Sequence, residues 1–195
     1  MWNRPTLSLI AAAFLCAASH APSCAAEKPG IPFHFPKTIG DLPLAEIRQP
    51  TETNRATRVF YGVPGITLTL YIFGSAPEAP DGIESPQLNK EFEEAKQSVQ
   101  DPRAWVEAKL VHEGTVDLGV APHRIPAREA VFNVKSQDDS AISYLCLTAA
   151  QGLYFKIRYT VDRSQQKVGE QQLPHIYRAV GELIESVSER KGGPA

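Results

Sequence analysis

Residues 57–73 read TRVFYGVPGITLTLYIF, and this stretch decides the fold. Pro64-Gly65 separates two runs rich in β-branched and aromatic residues, Pro presetting φ and Gly accepting φ > 0 in a tight turn. Past the turn the pattern has a period of two. Ile66, Leu68, Leu70 and Ile72 fall on one side, Thr67, Thr69 and Tyr71 on the other. The pattern predicts a half-buried antiparallel hairpin, Thr57 to Val63 paired with Ile66 to Phe73.

Moving toward the C-terminus, Pro77, Pro80 and Gly82 predict a loop from Gly74 to Glu84. Ser85-Pro86 then opens a helix, with Ser as N-cap and Pro at the first helical position. Leu88, Phe92, Ala95 and Val99 form its apolar stripe, and Asp101-Pro102 ends it. Ala104 to Leu118 reads as a short helix or a strand, and Gly119 to Ala127, with Pro122 and Pro126, as a loop. Three strands follow, Arg128 to Lys135, Ala141 to Ala149 and Leu153 to Val161. Their connections are so short that neighbours must be antiparallel. After a polar link from Asp162 to Gln172, Leu173, Ile176, Tyr177, Val180, Leu183, Ile184 and Val187 fall on one face of a final helix. Leu183 and Ile184 are its expected most buried turn.

On the N-terminal side, Leu44 to Gln49 alternates as a short strand stopped by Pro50. Residues 27–43 hold Pro29, Pro32, Pro36 and Pro43 and read as an extended leader, with Phe33, Phe35 and Ile39 laid on the domain. The expected fold class is α+β: a curved antiparallel β-sheet of about six to seven strands with two helices packed on one face. The expected layout is a signal peptide at 1–26, the leader at 27–43, one domain at 44–190 and a disordered tail at 191–195.

Arg4 followed by the apolar run Leu7 to Ala18, too short to span a bilayer, and then by Ser23-Cys24-Ala25-Ala26, has the form of a cleaved export signal. Lipidation at Cys24 is the rival reading, but Ala21 and Pro22 depart from the usual lipoprotein pattern. The expected location is periplasmic or secreted. Signal removal leaves Cys146 as the one thiol, and its place between Leu145 and Leu147 predicts a buried, inert group.

Twenty-two acids against 20 bases give a net charge of −2, which excludes a strongly basic nucleic-acid binder. After the signal no apolar run is long enough to cross a membrane. Phosphate-loop, dinucleotide, zinc-protease, dithiol and serine-elbow motifs are all missing. His112, Glu113 and His123 are the best metal candidates, and Asp138-Asp139 the best carboxylate pair. Solvated loop and strand histidines and a hairpin turn are the favoured readings of these residues, and no cofactor, metal or catalytic residue is expected.

Two resemblances bear on this chain. Phe35-Pro36-Lys37-Thr38-Ile39-Gly40-Asp41-Leu42, with Leu70-Tyr71-Ile72-Phe73 and Glu91-Phe92-Glu93-Glu94-Ala95-Lys96, resembles a group of small exported bacterial proteins with no assigned activity. The element order is similar to the Mog1/PsbP-like α+β sandwich, and that similarity implies an accessory or binding role rather than catalysis.

One positive functional feature emerges from the alternation. If Leu153, Phe155, Ile157, Tyr159 and Val161 point inward, Tyr154, Lys156 and Arg158 point outward. The same rule sends Ala130, Phe132 and Val134 inward and Lys135 outward. Lys135, Lys156 and Arg158, with Tyr154 and also Tyr71, then form a basic aromatic patch suited to an acidic envelope protein or anionic ligand. The expected function is an exported, non-enzymatic binding or accessory domain, and the alternative is an envelope hydrolase with a convergent site.

Overall fold

The computed structural model describes residues 33–191, except for the side chains of 75–77 and 187–191. The export-signal segment 1–26, the first part of the leader, residues 192–195 and the Val187 side chain therefore lie outside the described residues. The chain runs β1 (Thr38–Ile39), β2 (Leu42–Arg48), β3 (Thr57–Val63), β4 (Ile66–Ala79), α1 (Pro86–Val99), β5 (Glu107–Val120), β6 (His123–Lys135), β7 (Ser140–Ala150), β8 (Gly152–Asp162) and α2 (Gln166–Lys191). All eight strands form one antiparallel sheet in the order β1-β2-β3-β4-β8-β7-β6-β5.

The fold class is α+β, as the alternation predicts, but three particulars differ. The strand count is eight rather than six or seven, because the leader contributes β1 and the start of β2. Ile39 and Leu42 are each 1% exposed, so burial of apolar side chains draws this Pro-rich segment into the core. Residues 119–127, expected as a loop, instead continue β5 into β6 through a tight hairpin pairing Val120 with His123. Finally, β4 does not stop at Phe73. It runs to Ala79, and its register against β8 slips between Gly74 and Ala79.

The helices lie on opposite faces of the sheet rather than together on one. Ile176, Val180, Leu183 and Ile184 of α2 share a core with Phe155, Ile157 and Tyr159, the odd residues of β8. Leu88, Phe92, Ala95 and Val99 of α1 share another with Tyr154, an even residue of the same strand, and with Phe132, Leu145 and Leu147. Successive side chains on a strand leave opposite faces, so the two cores sit on either side of the sheet. Leu183 and Ile184 are buried, as the helical periodicity predicts.

Serine 85 caps α1: its Oγ accepts the Leu88 N–H at 3.0 Å, and Pro86 opens the helix. Polar ties then fix the helix to the β5–β6 hairpin. Glu113 of β5 accepts from Lys96 at 2.7 Å and from Arg128 at 3.0 Å, and Arg128 also donates to Asn89 at 2.6 Å. Chiefly through its hydrogen bond from Lys96, the Glu113 carboxyl is held below its ordinary value of 4.5. A depressed carboxyl contributes stability above its unfolded pKa and loses it as pH falls through the folded one. Because the side chain is 30% exposed, the contribution is about 0.5–1 kcal/mol. In urea titrations Glu113→Gln should therefore lower stability by that amount at pH 7 and by less as the pH falls to 3. An equal gap at both pH values would show that the Glu113 charge contributes nothing.

Two features of α2 and the sheet matter below. Gly181 sits against the backbone of Gly119, where a Cβ on residue 181 would lie 2.3 Å from the Gly119 Cα. Gly119 itself holds φ +85, open to glycine without strain. The pairing of β4 with β8, Ile66 with Val161 through Gly74 with Leu153, joins the β1–β4 meander to the β5–β8 meander. Among the described residues, no helix is long and apolar enough to cross a membrane.

Candidate functional site: a cationic sheet face around Tyr71

Helix α1 packs over β7 and over the Phe73 and Ala79 end of β4, and among the described residues no helix is packed on β2, β3 or residues 67–71 of β4 on that side of the sheet. Strand register decides which side chains meet there. The Pro64-Gly65 turn pairs Val63 with Ile66, which places Arg58 opposite Tyr71. Across the sheet one row then runs Arg48, Arg58, Tyr71, Lys156, and the next runs Glu46, Phe60, Thr69, Arg158. Adjacent members of a row stand about 4.8 Å apart along the hydrogen-bonding direction.

The arrangement is largely cationic and held by specific contacts. Lys156 Nζ lies 4.4 Å from the centroid of the Tyr71 ring, and the Arg48 guanidinium 4.8 Å from that of Phe60, both in cation–π range. Arg48 also donates twice to Glu46 at 2.7 Å. Arg58 lies between Arg48 and Tyr71, and its Nε is buried without a hydrogen-bond partner. Burial pushes the Arg158 guanidinium below its ordinary value, with Tyr71 as its titratable neighbour. No carboxylate among the described residues pairs with it. Glu91 reaches this face from α1, and its carboxyl is raised by burial first, then by Glu94, against the pull of Lys156. Arg58, Lys156 and Arg158 thus stand around one phenol, with the Glu91 carboxylate of α1 at the margin.

Two of the residues expected in the basic patch take other places. Lys156 and Arg158 share a face with Tyr71, as the alternation implies. Lys135 does not: β7 pairs Phe132 with Ser143 and Thr160 with Ser143, so Phe132 points to the side of Arg158 and Lys135 to the α2 side. Tyr154 is on the right face but 1% exposed, sealed beneath α1 and tilted against Phe73 at 5.3 Å. Both departures follow from a sheet covered on both faces. The apolar residues of β6 and β8 belong to different cores, so "inward" on one strand is "outward" on the other, which turns Lys135 away, while α1 covers the face that holds Tyr154. Arg58, Arg48 and Phe60 escaped the sequence reading, although hairpin arithmetic through the Pro-Gly turn carries Arg58 to Tyr71.

A second cluster lies on the α2 side. Tyr177 of α2 donates its hydroxyl to Glu129 Oε1, and Cys146 Sγ lies 3.6 Å from the Tyr177 oxygen and 3.9 Å from Glu129. His112 Nε2 stands 4.0 Å from the other Glu129 oxygen. Burial, then the neighbouring Glu129, pushes the Cys146 thiol up, so thiolate does not form at neutral pH. The thiol is 1% exposed, and the imidazole faces the carboxylate rather than the sulfur. These four groups tie α2 to β5, β6 and β7.

The His112, Glu113 and His123 trio is not brought together. Glu113 faces α1, His112 faces Glu129, and His123 at the hairpin tip faces Glu185 at 3.4 Å. No three metal-ligating side chains converge among the described residues. Around Asp138-Asp139, the Asp139 N–H donates to Ser136 Oγ at 3.0 Å and its carbonyl accepts the Ser136 N–H at 2.8 Å, the bonds of a turn. Compared with known proteins, the chain matches no family model and no curated protein.

Proposed function

We propose that the protein is an exported, non-enzymatic binding domain that docks an anionic partner or ligand on the cationic sheet face around Tyr71. The observation that carries this reading is the half-buried Arg158 guanidinium, which no described carboxylate answers, beside Arg58 and Lys156. Burying a cation without an anion costs several kcal/mol, a cost that an incoming anion offsets. Cation–π contacts hold Lys156 and Arg48 flat on the sheet, so little side-chain entropy is lost on binding. The rival reading as an envelope hydrolase rests on Cys146, Glu129 and His112, and the sealing of the thiol weighs against it.

The test uses the purified protein with labelled poly-L-glutamate and labelled polyphosphate, followed by fluorescence anisotropy at low salt. At least one polyanion should bind, and the double substitution Lys156→Gln, Arg158→Gln should weaken it at least tenfold without changing the far-ultraviolet spectrum. Added salt should weaken the wild type in the same way. If neither polyanion binds, or the double variant binds as the wild type does, the face is not a binding site.

A further inference from the structure

We infer that the anion taken at this face is the phosphoryl group of a soluble phosphate ester, an assignment that rests on the binding reading above. Charge points to a dianion. Glu46 answers Arg48, but no carboxylate among the described residues pairs with Arg58 or with Arg158, which leaves an excess of two guanidinium charges across the two rows. A phosphate monoester carries nearly two negative charges at neutral pH. A single carboxylate leaves part of that excess unanswered at a site where the Arg158 guanidinium is already desolvated.

Donor geometry points the same way. A guanidinium fork holds two oxygens of a carboxylate and thereby uses up the group. A phosphoryl group has three terminal oxygens, enough to be shared among two forks and an ammonium. Arg58 and Arg158 approach Tyr71 from β3 and β8, and Lys156 lies over its ring. The hydroxyls of Tyr71 and Thr69, one in each row, add neutral donors between the charges. Stacking of a sugar or a base contributes little here, because Lys156 and Arg48 already cover the Tyr71 and Phe60 rings.

The source is a soluble ester rather than a membrane headgroup. A surface that lies on a bilayer needs apolar side chains to enter it. The large exposed apolar residues near these strands are Ile47 and Val63. Ile47 pairs with Val59, and Val63 with Ile66, so both point to the opposite, α2 side.

Amide chemical-shift titration of the purified protein with glycerol 3-phosphate, and separately with malonate, tests the assignment. Malonate matches the charge but carries two planar carboxylates. Glycerol 3-phosphate should shift the amides of Arg58, Thr69, Tyr71, Lys156 and Arg158 saturably and bind at least tenfold more tightly than malonate. Arg158→Lys keeps the charge and removes the fork, and should weaken the phosphate ester about tenfold. Lys156→Gln should weaken it similarly, while the distant Arg124→Gln should leave it unchanged. Equal binding of malonate, or an unaffected Arg158→Lys, overturns the phosphoryl assignment. If poly-L-glutamate binds the face and glycerol 3-phosphate does not, the assignment fails and the binding reading survives. Silence of every anion removes both. Cosedimentation with phosphatidic acid vesicles, when the free ester gives no shifts, overturns the soluble source.

Discussion

Replacing Gly181 with Ala should destabilise the protein by about 3 kcal/mol, although the same change in an ordinary helix interior is stabilising by roughly 0.5–1 kcal/mol. The sign reverses because of what the methyl group meets. A Cβ at 181 lies 2.3 Å from both the Cα and the N of Gly119 and 2.8 Å from the Leu118 carbonyl carbon. These are backbone atoms of β5, with no rotamer to yield, so either α2 or the hairpin must retreat. Retreat opens the contact between α2 and Leu118, which is fully buried. Gly82 is the control: its φ is +88, but nothing lies within 4 Å of an added Cβ. Gly82→Ala should incur only the left-handed backbone penalty of about 1–2 kcal/mol. Urea midpoints read by circular dichroism compare the two variants. A Gly181→Ala protein as stable as the wild type would mean that helix and strand do not approach so closely.

Phe92→Ala should cost about 3–5 kcal/mol, the usual range for removing a buried ring. Phe92 is 0% exposed and is the largest of the four apolar residues that hold α1 to the sheet. Its ring also carries Arg128 at 5.0 Å and Lys96 at 5.3 Å from the centroid. Both cations bind Glu113, so truncating the ring loosens the polar ties along with the core. Because α1 and α2 bury separate cores, the loss should be local before it is global. Native-state hydrogen exchange should speed up across 86–99 well before it changes in α2. Equal acceleration in both helices would show that the two faces open as one unit.

Much of this architecture can be read from the chain, because local chemistry specifies it. The 57–73 alternation, the Ser85-Pro86 start of α1 and the stripe of α2 each depend on neighbours in sequence. The assignment of faces does not. Period two says that Tyr154 and Phe155 point apart, but not which of them meets which helix. A clue was present in β7. From Ala141 to Ala149 the strand is apolar on both sides apart from Ser143 and Thr148, and only Tyr144 escapes full burial. A strand buried on both faces belongs to a sheet covered on both faces, which places one helix on each. Without that inference, alternation alone sends Lys135 to the patch. Arg58 needs a different step, since partners across a hairpin are found by counting through the turn rather than from composition.

The seam between β4 and β8 also orders the assembly of the molecule. Nearly every other strand pairing is a hairpin, or close to one, and closes a short loop of chain. Ile66 meets Val161 only after α1 and three further strands have intervened. The entropy of closing that long loop must be met before the central contacts repay it. Loop-closure entropy therefore makes the docking of the two meanders the slow step expected of folding. Half of the cationic face, Arg48, Arg58 and Tyr71, is carried by the first meander, and Lys156 and Arg158 by the second. The cationic face is therefore complete only once the seam has zipped.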